Sequence, residues 1–301
     1  MRVSTNTLYD QGTRSMLQQQ SSLLKLQQQL SSGKRIMTPS DDPIGAARAH
    51  ELSQSLALNT QYADNRYRAM DSLQQVDSTL GSVSSVIQSA RTMAVAAGNP
   101  AFSDSERKMM AIELRGHFGH LLGLANTKDE QGNYLFSGFK GNTQPFVEQS
   151  AGVVTYEGDS VQRLIQVSGS RQLEVSETGK DVFGADGSNL FNTVEDFIGA
   201  LETPGGGATL NNAVSTALQD LDVALDNVLT KRAAVGSRLQ EVDALQQIGE
   251  DTAVQYQQSL SRLQDLDFAQ AISDLMRQQA SLEAAQKTFT RVSGLSLFNM
   301  I

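Results

Sequence analysis

Apolar residues recur every seven positions at both ends of the chain. Tyr9, Met16, Leu23, Leu30 and Met37 keep that spacing near the N-terminus. Leu275, Leu282 and Phe289 repeat it near the C-terminus, prefixed by Phe268 and Ile272. A seven-residue apolar repeat turns one stripe of a helix toward a partner helix along its whole length. The spacing predicts two terminal helices that pair with each other or with neighbouring molecules. Met16, Leu23, Leu26, Leu30, Leu275, Leu282 and Phe289, with Leu297 and Phe298, are the expected subunit-interface residues.

Longer helices are expected between these ends. Asp42 can cap a helix that begins at Pro43, a residue whose missing N–H costs nothing at the first helical position. Downstream, Leu73, Val76, Leu80, Val83, Ile87, Ala90 and Ala94 alternate spacings of three and four up to the stop at Gly98-Asn99-Pro100. Ser103 and Glu106 then form a capping-box pattern ahead of Met110, Leu114, His117, Leu121 and Leu124. After a Gly- and aromatic-rich stretch, GNYLFSGFKGNTQPF (132–146), the apolar period falls to two across 153–176, which predicts short strands with turns at Gly158-Asp159 and Gly169-Ser170. TVEDFIGAL (193–201) reads as a short helix and Pro204-Gly205-Gly206-Gly207 as a joint. Helical spacing resumes with Val214, Leu218, Leu221, Leu225, Val228, Val235, Leu239 and Val242, broken at Arg232.

The fold class expected from this order is mainly α. N- and C-terminal regions form a long antiparallel helical rod or coiled coil, and a small β-rich outer domain is inserted at its tip. The expected domains are residues 1–40 with 265–301, residues 41–135 with 208–264, and the insert 136–207. That insert is acidic in its charge balance and is expected to face solvent.

Charge narrows the partners. A net charge of −9 disfavours nucleic acid, which calls for a basic face. Residues 1–40 alone carry +4, but Gln and Ser dominate their polar positions, so a partner helix fits better than a membrane surface. No stretch approaches the roughly 18 apolar residues of a membrane span, and MRVSTNTLYD lacks the apolar region of a signal peptide. There is no Cys, hence no disulfide or thiolate chemistry. His117 and His120 lie one turn apart without an obvious third ligand, and Asp41-Asp42 beside Pro43 read as loop and cap rather than as a carboxylate pair. No catalytic residue, metal site or cofactor is assigned, and no enzyme is expected.

The block LSSGKRIMTPSDDPIGAARAHEL (30–52) resembles the N-terminal signature of the bacterial flagellin superfamily. RVSTNTLYDQ (2–11), IQSARTMAVAAGNPAFSDSER (87–107) and the closing helix resemble the same superfamily in order. Within it, GNYLFSGFKGNTQPF and AAQKTFTRVSGLSLFNMI (284–301) are more similar to hook–filament junction proteins than to filament flagellins. The resemblance implies a structural adaptor that assembles with itself into a ring between a FlgK-type hook-associated protein and flagellin. It also implies an extracellular place in the flagellum, export without a cleaved signal peptide, and an export chaperone on the C-terminal helix. Two other readings stay open: a flagellin-type filament subunit, and a secreted coiled-coil effector or adhesin.

Overall fold

Two helices of more than fifty residues dominate the chain, and both follow their heptads. The computed structural model describes residues 5–150, 152–185, 188–205 and 207–298, with side chains except at 5, 6, 8, 185, 188 and 292–298. In chain order it contains α1 (Thr5–Ser32), α2 (Pro43–Ala97), α3 (Asp104–Ala125), β1 (Phe146–Ser150), β2 (Val153–Tyr156), β3 (Leu164–Ser168) and β4 (Arg171–Glu174). Next come α4 (Gly179–Phe183), β5 (Gly184–Ala185), β6 (Ser188–Asn189), α5 (Leu190–Glu202), α6 (Ala208–Gln264) and α7 (Phe268–Phe298). The fold is mainly α, with three two-stranded antiparallel pairings among the described residues. Two compact units form: Met1–Leu58 with Asp251–Ile301, and Asn59–Glu250.

The larger unit is organised by α2 and α6. Ala69, Val76, Val83, Ala90 and Ala97 step by seven along α2, Leu73, Leu80, Ile87 and Ala94 fill the alternate positions, and all are buried. On α6 the buried positions Leu221, Val228, Val235 and Val242 also step by seven. Polar ties fix the pairing as antiparallel. Asn59 Nδ2 donates to the Gly249 carbonyl, Arg232 clasps Asp77 at 2.8 and 3.3 Å, and Arg91 Nε donates to Asp222. Arg232, the break in the apolar stripe of α6, is therefore a flanking ion pair whose guanidinium is held above its usual pKa by the Asp77 carboxylate. Arg66 is 3 % exposed and donates from Nη1 to the Val167 carbonyl and from Nε to Gln246 Oε1, which ties α2, α6 and β3 together.

α3 lies against α5 and starts where the sequence places it. Ser103 and Glu106 form both arms of the capping box, and the Ser103 N–H and hydroxyl hold the Glu106 carboxyl below its ordinary range. Phe118, buried on α3, meets Phe191 of α5 edge-on with ring centroids 5.9 Å apart.

Residues 136–207 depart from the expectation of a solvent-facing insert. Phe136, Phe146, Phe183 and Phe191 are all 2 % exposed or less, and Phe146 sits 5.1–5.2 Å from the rings of Tyr156, Phe183 and Phe191. The acidic residues described there are exposed or half-buried except Glu177, which is buried and paired with Lys231 and Arg238, while the apolar positions supply a core of their own. β1 arises at the end of the Gly- and aromatic-rich stretch and takes β2 as partner, with Phe146 opposite Tyr156. Gly158-Asp159 thus leads out of β2 without forming a hairpin, whereas Gly169-Ser170 does turn β3 into β4. Asn126, the C-cap of α3, satisfies the backbone of Phe146 on both sides, donating to its carbonyl and accepting from its N–H.

Because Phe146 has no exposed surface and three ring neighbours, Phe146→Ala is expected to destabilise the Asn59–Glu250 unit by about 3–5 kcal/mol. Urea denaturation followed by tyrosine fluorescence measures this; a loss under about 1 kcal/mol would mean that the cluster is not a core.

Candidate assembly interface

The smaller unit is built from α1, the first turns of α2, the last turns of α6, and α7. Its central feature is the antiparallel contact of α1 with α7. Along α1 the partly buried positions Tyr9, Gly12, Met16, Gln19, Leu23, Leu26 and Leu30 alternate spacings of three and four. Along α7, Ala271, Leu275, Gln278, Leu282, Ala285 and Phe289 do the same. The Tyr9 and Phe289 rings meet edge-on at 5.5 Å. Gly12 admits the Phe289 ring, since a Cβ there would lie 2.9 Å from Phe289 Cδ2.

The expected interface residues Met16, Leu23, Leu26, Leu30, Leu275, Leu282 and Phe289 all lie on this seam within one chain. Only Ala271 among the seam residues is fully buried, in contrast with the closed seam of α2 and α6. Leu297 and Phe298 fall among side chains outside the described residues. The stripe leaves out Leu17 and Leu24 on α1 and Met276 on α7, which are 53–65 % exposed, and Ile272, placed ahead of the C-terminal stripe, is 44 % exposed beside them. Leu17, Leu24 and Met276 each follow a seam residue by one position, the signal that would have found them.

The signature LSSGKRI…DDP builds the base of this seam. Gly33 takes φ +69°, a left-handed conformation suited to a residue without Cβ, and ends α1. The next residues clamp onto the joint between α6 and α7. Leu266 N–H donates to the Gly33 carbonyl, Arg35 N–H donates to the Gln264 carbonyl at 2.7 Å, and Arg35 Nη2 donates to the Leu263 carbonyl. Ile36 is buried. Asp41 accepts from the Met37 and Thr38 N–H groups and pairs with Lys25 at 2.6 Å. Asp42 accepts from the Gly45 N–H across the first turn of α2, with Pro43 at the first helical position. Asp267 caps α7 in the same way through Gln270 N–H, so two aspartates restart helices on the two sides of the clamp.

The smaller unit presents an incompletely covered helical pair and a hydrogen-bonded base, and no group of three His, Cys, Asp or Glu that could hold a metal ion is gathered among the described residues. No helix among them is long and apolar enough to cross a membrane.

Residues 3–141 match the family described as bacterial flagellin N-terminal helical region. The chain is similar to a flagellar hook-associated protein 3 from Salmonella typhimurium, with 37% identity over 100% of this chain and 99% of that one. Among solved structures, a flagellar hook associated protein-3 from Legionella pneumophila aligns with a TM-score of 0.66 and 20% identity, over 71% of this chain and 98% of that chain. The flagellar junction protein FlgL from the same organism aligns with a TM-score of 0.60 and 19% identity, over 72% and 100%. At those identities the two structures speak for the fold.

Asp41 gives the clamp a pH dependence. The Lys25 ammonium, then the Thr38 and Met37 N–H groups, hold its carboxyl well below the usual range. A depressed folded-state pKa stabilises above the unfolded value of about 3.9, and that contribution is lost as pH falls below it toward the folded value. The protection of the amides in residues 33–42, taken relative to intrinsic exchange at each pH, is expected to fall below about pH 4. Asp41→Asn should exchange faster already at neutral pH and lose most of that acid response. An unchanged acid response in the variant would remove Asp41 from this role.

Proposed function

Because the chain belongs to the flagellar hook-associated protein 3 (FlgL) family of the flagellin superfamily, we propose that it is the structural adaptor subunit of the hook–filament junction in a bacterial flagellum. The observation that carries this reading is the full-length similarity to hook-associated protein 3 together with the terminal helical pair. A junction subunit has to bind neighbours in a repeating array, and helical seams left partly open supply the surface for that. Residues 1–40 with 265–301 would form the part that joins subunits, residues 41–135 with 208–264 the helical middle, and 136–207 the outward part.

On this reading the chain contacts copies of itself around a ring, a FlgK-type protein on the hook side and flagellin on the filament side. It would leave the cell without a cleaved signal peptide, its C-terminal helix held by an export chaperone. Terminal helices of this kind suit such a route, since an α1 rich in Gln and Ser has little stability before its partner arrives. Assembly needs no catalysis, so the absence of an assigned active site costs this function nothing.

Immunogold labelling of cells distinguishes the readings. A single band between hook and filament supports the adaptor; label along the filament would make the chain a flagellin-type subunit instead. Deletion of the gene is expected to leave hooks without filaments, and normal swimming would favour an effector or adhesin.

Leu282→Glu places a carboxylate in the seam between α1 and α7. It is expected to abolish incorporation into flagella while the thermal transition of the Asn59–Glu250 unit stays in place. Normal incorporation of this variant would exclude the terminal seam from assembly.

A further inference from the structure

The apolar residues left outside the terminal seam fall on one side of it. In an antiparallel pair of right-handed helices, the positions one step after the seam on each helix share a side. Leu17 and Leu24 follow Met16 and Leu23 on α1, and Ile272 and Met276 follow Ala271 and Leu275 on α7. The contacts of Gly12 with Phe289 and of Gly33 with Phe268 bring Met276 to the level of the Leu24 turn, so the four form one patch. The opposite side is occupied by the loop after Gly33. Lys25 pairs there with Asp41 at 2.6 Å, and Gln29 Nε2 donates to the Arg35 carbonyl at 2.7 Å. The pair thus has one covered side and one free apolar side.

One heptad farther out, the same positions turn acidic on both helices. Asp10 stands seven residues before Leu17, and Glu283 seven after Met276. Because the helices are antiparallel, both carboxylates lie at the end of the patch away from Gly33 and Phe268. Arg14 and Lys287 lie farther round their helices, off the line of the patch. A counterpart exists in the same unit, where the first turns of α2 meet the last turns of α6. An open groove of about 520 Å³ runs there, lined by Leu52, Leu263, Ser55 and Ser259, with Arg48 and Arg262 against a single Glu51. Among the described residues, Asp10, Glu283, Arg48 and Arg262 take part in no ion pair. Patch and groove each combine apolar surface with unpaired charge, and the charges are opposite.

We propose that the free side of the terminal helical pair docks into the groove between α2 and α6 of a second copy of this chain. The inference rests on the reading as a junction subunit, which calls for contacts that repeat. Patch and groove are different surfaces, so the contact is heterologous. Each copy offers one and receives one, and the series continues instead of ending at a dimer. The patch set against itself would leave Asp10, Glu283 and the groove arginines without partners. Four half-exposed side chains amount to an area on the order of a few hundred Å², well short of the roughly 800 Å² per partner of a standard interface. Free copies therefore meet only transiently, and the contact persists where an array repeats it.

The absence of native cysteine lets cross-linking read this contact. Two single-cysteine variants are expressed in the same cells: Gln279→Cys, one turn from Met276 on an exposed position, and Ser55→Cys in the groove. Isolated flagella are treated with a short bis-maleimide. Each chain carries one cysteine, so every link joins two copies, and the expected product is a mixed dimer of the two variants. Ser259→Cys, on the α6 wall of the same groove, repeats the experiment with a second receiver. Adding Glu283→Arg to the Gln279→Cys copy should lower the mixed link in the flagellar fraction about tenfold. Adding Arg48→Glu and Arg262→Glu to the Ser55→Cys copy should then restore it, a rescue between copies that a purely structural role of Glu283 would not give. The proposal is overturned if neither receiver forms the mixed link, if Gln279→Cys links only to itself, or if the charge exchange fails to restore the link. Immunoblots of the same flagella keep the two claims apart. Absence of the unmodified chain from flagella would overturn the junction reading and the docking with it, whereas its presence without the mixed link overturns the docking alone.

Discussion

The packing of α2 against α6 is the interaction on which the larger unit depends. Val76, Leu80, Val83 and Ile87 and the positions Leu221, Val228, Val235 and Val242 are essentially without exposed surface, yet they stand more than a hundred residues apart in the chain. Closing so long a loop costs entropy that local helix propensity cannot offset; the continuous apolar stripe does so at about 25 cal/mol per Å² buried. Everything from Gly98 to Gly207 is then held within that closure. α3, α5 and the strand pairs need only pack locally around Phe146 and Phe191 to become ordered.

The terminal seam obeys the same heptad rule with a different outcome. Its large apolar residues stay partly exposed, its middle carries two amides, and four further apolar side chains face away from it. The terminal pair lacks the covering that α3, α5 and the strands give to α2 and α6, whose stripes share one core with them, so it buries less apolar surface and is less stable for the same length. On the proposed reading as a junction subunit, the closed seam would keep a subunit folded by itself and the open one would leave surface for neighbours. The hydrogen-bonded clamp beneath it, with Arg35 on the carbonyls of Leu263 and Gln264, fixes where the open part begins.

Legibility differed between helices and insert for a physical reason. The capping box at Ser103 and Glu106, Pro43 after Asp42, and the stop at Gly98 act within a few residues of themselves, so they could be read directly. The role of Arg232 could not, because its meaning lies in Asp77 on another helix. Strand pairing lies outside the local pattern on the same grounds. β2 takes β1 rather than a later strand, and that choice is made by the burial of Phe146 and Tyr156 together, not by the alternation of either strand. Overall charge misled as well, since acidic outer positions hid an aromatic core.

The amino-acid sequence by itself determined the helices, their limits and the two terminal stripes, along with a signature block whose wording points to the flagellin superfamily. These are local properties: a 3.5-residue period, a cap or a proline acts through nearest neighbours along the chain. The tertiary structure alone decided which stripe meets which. It turned Leu275, Leu282 and Phe289 toward α1 of the same chain, placed Phe289 over Gly12, and left Leu17 and Met276 outside. A heptad specifies a face without naming its partner, and only chain closure in three dimensions supplies that choice.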